Sequence, residues 1–565
     1  MGKKIIVVGG VAGGASVAAR VRRIDASAQI TMFERGDHVS FSNCALPFYL
    51  SGVVARSESL VLMDPVRFKK QYDIDAKVNC EVTKIMRNEK KVQVKNHKTG
   101  ECFEESYDVL VLSPGASPVK PASIRGIEKE NVFTIRNVTD ITRFKSYIDE
   151  RKIKEVAVVG GGFIGVEVAE NLCLSGKRVT LIEAMDQIMA PFDYDMVQVL
   201  HKEMLDHGIT LKLGAAVTEI HSEDVVLASG EKISAQAVVM AIGVKPETEL
   251  AQAAGLEIGS TGGIKVDHNY RTNDPAIYAV GDAIEVFHKL TGKPTRLALA
   301  GPAQRQARAA ADAMYGKTHN NNGVIGSSVV QIFDMHAAST GLNEKTAKAN
   351  GFNYDFVYII PNDKVGLMPD SHPVHFKLIY EYPTGRILGA QAIGQGAVDK
   401  RVDVIAAMIS MGATLEDLKE LELCYAPPFG TAKDVVNFAA LVALNILNGV
   451  FKQVPVTKVR ELVENNACII DVREENEFSM GHLKNARNIP LSQLRERMHE
   501  IPKDIPVYLH CRSSQRSYNA IMALQGNGYT NLWNISGSYL GISLYEYFND
   551  VTQDREKIVT EYNFK

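Results

Sequence analysis

The clearest pattern along the chain is an apolar run broken by glycines, and it occurs twice. Residues 4–34 open with KIIVVGGVAGGASVAARVRR and close with ITMFE; residues 154–183 open with KEVAVVGGGFIGVEVAENLCLSG and close with VTLIE. Short continuous apolar runs fit strands buried on both faces. After each glycine turn the pattern predicts a helix with small residues on its packed face, then a second strand ending in glutamate. That order is the βαβ dinucleotide-binding unit. Three further segments, VLVLSPGASP (109–118), VVMAIGVKPE (238–247) and IYAVGDAIEV (277–286), read as buried strands ending in glycine turns. Beyond residue 325 the pattern changes to strand-rich stretches (VVQIFD, FVYII, VHFKLIYEY, ILGAQAIG) followed by helices. The last of these, DVVNFAALVALNILNG, is apolar enough to suit a subunit interface. GVFKQVP (449–455) reads as a linker, and a smaller α/β domain with strands CIIDV and PVYLH follows from about residue 456.

Composition narrows the class. At 565 residues the chain is long enough for three or four domains. With 45% hydrophobic and 23% charged residues it is ordinary globular protein, neither disordered nor fibrous. A formal net charge of −3 favours neither nucleic acid nor a membrane surface as partner. The seven cysteines (44, 80, 102, 173, 424, 468 and 511) are odd in number, and none forms a C-x-x-C pair. That reads as a reducing compartment rather than a disulfide framework. The opening MGKKIIVVGG has the look of a secretion signal, but its glycines and Arg20 interrupt the apolar run. No window approaches the roughly 18 apolar residues of a membrane span. The expectation is a soluble, cytoplasmic protein.

A phosphate site needs backbone N–H groups at a helix start and glycines that let a pyrophosphate come close. Gly160, Gly162 and Gly165 fit G-x-G-x-x-G in full, and Glu183 ends the next strand where a carboxylate would accept from a ribose hydroxyl. Ala184 follows, with no arginine for a 2′-phosphate, so NADH is favoured over NADPH. The first unit departs from the pattern. Gly9 and Gly14 hold the outer positions, Val11 replaces the middle glycine, Gly13 stands nearby, and Glu34 and Arg35 end the strand. Asp282, after a strand and a glycine turn, is a candidate for a flavin ribityl hydroxyl.

On these residues, 1–450 resemble the two-dinucleotide-binding-domain flavoprotein disulfide reductases. The resemblance implies FAD on the first unit, a nicotinamide nucleotide on the second and a C-terminal dimerisation domain. It would place Gly9, Gly13, Gly14, Glu34, Arg35, Ser42, Val82, Ser113, Asp282 and Ala300 around FAD. Gly160, Gly162, Ile164, Gly165, Glu183 and Gly243 would surround the nicotinamide nucleotide.

Most of that family carries a C-x4-C dithiol, whereas this chain has SFSNCALPFY with the single Cys44. A lone thiol must work through a mixed disulfide, a persulfide or a sulfenic acid. The polar neighbours Ser40, Ser42 and Asn43, with Pro47, argue against an inert core cysteine. The segment resembles the single-cysteine branch: coenzyme A disulfide reductases, NADH oxidases and peroxidases, and persulfide reductases. In coenzyme A enzymes the first helix meets the ligand's phosphates, on the side where Ser16, Arg20 and Arg23 lie; a solvated basic patch is the other reading. Ser40, Asn43 and Lys433 complete the substrate-side candidates. LCYAPPFGTAKD (423–434) resembles the segment that crosses the dimer, with Tyr425 either serving the leaving thiolate or simply packing an interface. Where coenzyme A enzymes often read Y-Y-P, this chain reads GLMPD (366–370), which weakens coenzyme A disulfide as the substrate.

Near the C-terminus HCRSSQRS (510–517) follows a strand and precedes a helix. A thiol there is cradled by backbone N–H groups and the helix dipole, which favours the thiolate. Arg512 and Arg516 add positive charge. Upstream, IIDVREENEFSMGHLKNARNIP (469–490) resembles the rhodanese domain, with Cys511 as its sulfur-carrying cysteine. The six-residue ring from Cys511 to Arg516 suits sulfur. Ser514 stands where a glycine is common, which leaves the loop's shape open. Histidine spacing implies no metal.

The expected fold is therefore α/β: two Rossmann-like dinucleotide-binding domains, an α+β dimerisation domain and a C-terminal rhodanese α/β domain. The expected boundaries are 1–150 and 269–324 for the FAD domain, 151–268 for the NAD domain, 325–450 for dimerisation and 451–565 for rhodanese. The expected function is NADH-driven reduction of persulfide, polysulfide or coenzyme A persulfide through Cys44, in a homodimer, with Cys511 and Arg516 serving sulfur transfer. The alternatives are a coenzyme A disulfide reductase, an NADH oxidase or peroxidase, and a sulfur carrier or redox sensor.

Overall fold

The computed structural model describes residues 2–317, 319 and 321–564. The chain packs as two compact units. One comprises the residues up to Asp186 together with Gly208–Val324; the other comprises Gln187–His207 and the residues from Ile325 onward.

The first unit holds two parallel sheets of the same design. In the first, Lys4–Val8 lies between Gln29–Glu34 and Val109–Leu112, with Ile74–Val78 and Ile277–Ala279 at the edges. In the second, Glu155–Val159 lies between Arg178–Ile182 and Ala237–Met240, with Thr210–Lys212 and Val132–Phe133 outside. Ile5, Ile6, Val7, Ala157 and Val158 are essentially without solvent exposure, as strands covered on both faces require. In each sheet the glycine turn follows a central strand, at the point where strand order reverses and α/β folds open a ligand crevice.

The second unit joins an antiparallel sheet to a smaller parallel one. The antiparallel sheet runs in the order Ser328–Ile332, Met335–Gly341, Ile387–Gly394, Val374–Glu381, Tyr354–Ile359. The parallel sheet runs Lys452–Val454, Leu532–Ile535, Val507–His510, Cys468–Asp471, Arg487–Asn488. The segment read as a linker is thus partly an edge strand. Phe451 is buried in the C-terminal core, and Gln453 donates to the Phe356 carbonyl at 2.6 Å, so the junction is packed. The apolar helix Val435–Leu447 buries Val436, Ala440 and Ala443, and its Val442 and Ile446 pack on the C-terminal core. Part of its apolar surface is therefore covered within the chain.

The helix Tyr194–Asp206 sits between the nucleotide-unit strands in sequence but packs in the second unit, against the helix Ser538–Gln553. Its anchor is Lys377, fully buried in the antiparallel sheet. The ammonium reaches Asp195 at 2.8 and 2.9 Å, Asp193 at 3.3 Å, and Glu344. Burial opposes that charge, yet the three carboxylates outweigh it and hold the lysine protonated. No helix among the described residues is long and apolar enough to cross a membrane.

Candidate active site

The two glycine turns show why those positions lack side chains. Gly9 has φ +92°, and a Cβ there would lie 2.1 Å from the Ser113 carbonyl oxygen; one on Gly14 would lie 1.8 Å from the Gly9 oxygen. Gly13 faces the Ser113 hydroxyl, 2.5 Å from where a Cβ would sit. In the second turn Gly160 has φ +113° and abuts the Ala241 carbonyl, while a Cβ on Gly165 would lie 1.8 Å from the Gly160 oxygen. Gly162 is different: a Cβ there meets nothing within 4 Å, so only close approach of another molecule calls for glycine. Both following helices, Ala12–Ile24 and Phe163–Leu174, start without a side-chain cap or an acidic residue in the first turn. Their N-terminal amides suit a pyrophosphate. The glutamates match as well. Glu34 accepts from Gly10 N–H at 2.9 Å and Gly36 N–H at 2.8 Å; Glu183 accepts from Gly161 N–H at 2.6 Å and Met185 N–H at 2.8 Å. The residues present fit two dinucleotides.

Gly165→Ala is expected to force the second turn open, since the methyl group meets backbone. Overpacking of this kind costs about 1–3 kcal/mol, which is about tenfold to a hundredfold in affinity for a nicotinamide nucleotide. Titration of NADH and NADPH against the variant checks this, and an unchanged dissociation constant for whichever the parent binds would refute it.

The remaining cofactor candidates fall in different places. Asp282 is in the turn Gly281–Ala283, beside the Ser113 corner of the first glycine turn. Burial raises its carboxyl pKa, with Arg136 opposing. Ile164 is 41% exposed at the start of the second helix, and Gly243 has φ +117° with open space beside it. Ala300 begins the helix Ala300–Ala313, which packs on the first helix. Val82 has its side chain in the core of the first unit. Arg35 is paired with Glu247, which also binds Arg136 and the Ser117 hydroxyl. Burial works against the Glu247 charge, but these partners hold its pKa low.

Cys44 lies in the exposed turn Asn43–Ala45. The strand-like residues before it are tied to the first glycine turn: Ser40, with φ 47°, donates its N–H to the Gly10 carbonyl at 2.8 Å, and Ser42 N–H bonds Leu60 O at 2.9 Å. The helix after it, Phe48–Ser51, packs on the helix of the second turn, where Ser51 bonds Asn171 at 2.6 Å. The thiol thus sits between the two nucleotide segments. Its surroundings raise its pKa, first through desolvation and then through Glu167 and Asp282. Glu167 is itself pushed up to about 7 by burial and by Glu170. Sequence reasoning missed it, although an acid at the centre of the apolar helix GFIGVEVAENL was the available signal. Above neutral pH its carboxylate opposes the Cys44 thiolate. Glu167→Gln is therefore expected to speed alkylation of Cys44 several-fold at pH 8 and hardly at all at pH 6. Peptide-resolved iodoacetamide labelling reads this directly; equal acceleration at both pH values would contradict it.

Ser16, Arg20, Arg23 and Ser40 line one cavity of about 320 Å³. The sequence did not reveal its other walls, which include Arg308, Gln304, Tyr72 and Phe68. Arg20 is held by Asp312 at 2.5 Å, whereas Arg23 lies over the Tyr72 ring. The cavity is basic and part aromatic. Asn43 and Lys433 do not line it. Tyr425 (48% exposed) and Lys433 lie on the loop before the helix Val435–Leu447, in the other unit from Cys44.

Cys511 is 1% exposed, between the strand Val507–His510 and the helix Gln515–Gln525. Its sulfur accepts from the hydroxyls of Ser517 (3.7 Å) and Ser538 (3.9 Å). Ser514 takes the left-handed conformation of the glycine it stands for, with φ 77°, and its hydroxyl donates to the Ile535 carbonyl at 3.1 Å. Arg516 is engaged by Glu477 through two bonds of 2.6 Å, so its charge is balanced within the domain. Asp471 and Arg473 form a buried pair behind the loop.

A lone accessible thiol between two nucleotide turns, with a second thiol in a hydroxyl-lined cradle, defines a nucleotide-dependent thiol oxidoreductase joined to a sulfur-handling domain. Comparison with known proteins agrees. The pyridine nucleotide-disulphide oxidoreductase model matches residues 3–307, its dimerisation domain residues 327–435, and the rhodanese-like domain residues 456–544. The coenzyme A disulfide reductase of Staphylococcus epidermidis is 34% identical over 435 residues, covering 77% of this chain and 98% of that protein. The crystal structure of reduced Bacillus anthracis CoADR-RHD is 44% identical with a TM-score of 0.93, covering 98% of this chain and 99% of that one. A NAD-dependent persulfide reductase from A. fulgidus is 35% identical with a TM-score of 0.91, covering 95% and 99%. The chain belongs to the pyridine nucleotide-disulphide oxidoreductase family. It is an enzyme whose family uses FAD and a nicotinamide nucleotide, and the expected order of two Rossmann-like domains, dimerisation domain and rhodanese domain holds.

Proposed function

We propose that the enzyme uses NADH to reduce persulfides, with coenzyme A persulfide or polysulfide as substrate, through Cys44, and that Cys511 carries sulfane sulfur to it. The observation that carries this reading is an exposed thiol, Cys44, and a second thiol in a hydroxyl-lined cradle, Cys511, together with a basic cavity whose wall includes Ser40, four residues before Cys44. Such a cavity suits a phosphorylated thiol carrier. The likeness to a coenzyme A disulfide reductase and to a persulfide reductase supports the same reading.

The Cys44 thiolate attacks the carrier sulfur of R–S–SH. The S–S bond breaks, hydrosulfide leaves with the bonding pair, and Cys44–S–S–R forms. Two electrons and a proton cleave that disulfide, restoring the thiolate and releasing R–SH. FAD, held by Gly9, Gly13, Gly14, Glu34, Ser113 and Asp282, and NADH at Gly160, Gly162, Gly165 and Glu183 supply the electrons when bound. At the other site the Cys511 thiolate attacks the terminal sulfur of a polysulfide, whose S–S bond breaks to release the chain one sulfur shorter, forming Cys511–S–S⁻; a coenzyme A thiolate then attacks that outer sulfur, forming the coenzyme A persulfide and releasing the Cys511 thiolate. Dividing the transfer into two displacements lowers each barrier. The enzyme works as a homodimer in the cytoplasm, with Tyr425 reaching the partner's site as the proton donor to the leaving thiolate.

Anaerobic NADH oxidation with coenzyme A persulfide, coenzyme A disulfide, polysulfide and oxygen tests this. Persulfide should be the fastest. Faster coenzyme A disulfide turnover would make the enzyme a thiol-balance reductase, and faster oxygen turnover an oxidase. Cys511→Ser should lower polysulfide-supported turnover about tenfold or more and leave coenzyme A disulfide reduction within about twofold. Equal survival of both activities would refute the coupling of the two thiols.

A further inference from the structure

Cys511 and Arg512 are held by a turn that a residue of another domain touches. Tyr539 N–H donates to the Cys511 carbonyl at 3.0 Å, and Leu540 N–H to the Arg512 carbonyl at 3.1 Å. The Ser538 hydroxyl accepts from Cys511 N–H at 3.2 Å and stands 3.9 Å from its sulfur. The turn that places these groups is conformationally demanding, since Gly537 and Ser538 both have positive φ, 76° and 47°. For serine that region is unfavourable unless its surroundings impose it.

The surroundings come from the antiparallel sheet. The ring of Tyr358, on the strand Tyr354–Ile359, lies so close to the turn that a Cβ on Gly537 would be 2.7 Å from its Cε1, and one on Gly541 3.3 Å. The Ser536 hydroxyl donates to the Tyr358 carbonyl at 3.2 Å. The ring is fixed from its far end: its hydroxyl makes a buried 2.6 Å hydrogen bond to Nδ1 of His375 on the neighbouring strand. Tyr358 and His375 are 3% and 5% exposed. Tyr358 stands outside the residues that match the rhodanese-like domain, 456–544.

We infer that Tyr358 is a positioning residue of the sulfur-transfer site: the dimerisation domain braces the 536–541 turn, and through it the Cys511 cradle. Sulfur transfer at Cys511 then depends on the antiparallel sheet against which the turn is seated. This rests on the reading of Cys511 as a sulfur carrier.

The test uses the full-length, FAD-loaded protein with thiosulfate as donor and coenzyme A as acceptor. Tyr358→Ala removes the ring, and Tyr358→Phe keeps the ring without the hydroxyl. Small displacements of reacting groups have large rate effects, so Tyr358→Ala should lower kcat of sulfur transfer about tenfold or more. It should also change the rate of Cys511 alkylation at fixed pH, because the Ser538 hydroxyl facing the sulfur drifts. Tyr358→Phe should recover kcat to within about threefold of the parent. NADH-driven reduction of coenzyme A disulfide through Cys44 reports on integrity and should change by less than about twofold. If the alanine variant does not fold, Tyr358→Leu is held to the same criteria. An unchanged kcat and an unchanged Cys511 alkylation rate in the folded variant would overturn the inference. Absence of sulfur on Cys511 in the parent enzyme would instead overturn the reading on which it rests.

Discussion

Lys377→Met is expected to cost about 3–5 kcal/mol, the penalty typical of removing one partner from a buried ion pair. The ammonium is the shared partner of Asp193, Asp195 and Glu344, and all three remain in place when it goes. Methionine replaces its bulk but none of its charge. Burial already raises the carboxyl pKa of Asp193 and Glu344, with the lysine pulling the other way, so its loss lets protons bind more readily. The deficit should therefore be largest at neutral pH and shrink as pH falls and the carboxylates are neutralised. Denaturant or thermal unfolding at pH 7 and pH 5 measures both effects. A loss under about 1 kcal/mol, or one that grows at low pH, would be inconsistent with a charge-balanced cluster.

Cys44→Ser should abolish NADH-driven reduction of every disulfide or persulfide tested, by about a thousandfold or more. A serine hydroxyl is a poor nucleophile towards sulfur, and no bond it forms there is one the bound cofactors reduce. Thiosulfate-dependent sulfur transfer at Cys511 should persist in the same variant, because that thiol has its own hydroxyl-lined cradle. Anaerobic NADH oxidation and sulfur transfer, measured on one preparation, decide the matter. A variant retaining a tenth of the reductase rate would place the reducing thiol elsewhere.

The features legible in the sequence are those whose causes are local. Gly14 and Gly165 are required by the carbonyl oxygens of Gly9 and Gly160, five residues back, and a glycine turn after an apolar run announces them. Cys44 and Cys511 were visible through their immediate neighbours. What stayed hidden depends on contacts distant in sequence. Arg35 is paired with Glu247, Arg308 joins Arg23 at a common cavity, and Glu167 acquires its role beside Cys44 by the packing of Phe48–Ser51 on its helix. The strand Lys452–Val454 looked like a linker because its pairing partner, Leu532–Ile535, comes some eighty residues later.

The helix Tyr194–Asp206 has a consequence for how the protein is made. Nine of its thirteen residues are buried in the finished fold, Met196, Val197, Val199, Leu200 and Met204 among them. Its packing partner Ser538–Gln553 lies near the end of the chain. At about 5–20 residues per second, translation leaves the helix without that cover for on the order of tens of seconds. During that interval Met196, Val197 and Leu200 are exposed apolar surface on every nascent chain. A ribosome that stalls after the nucleotide sheets are complete would release a polypeptide carrying two finished sheets and one sticky helix, the form of this protein most in need of a chaperone.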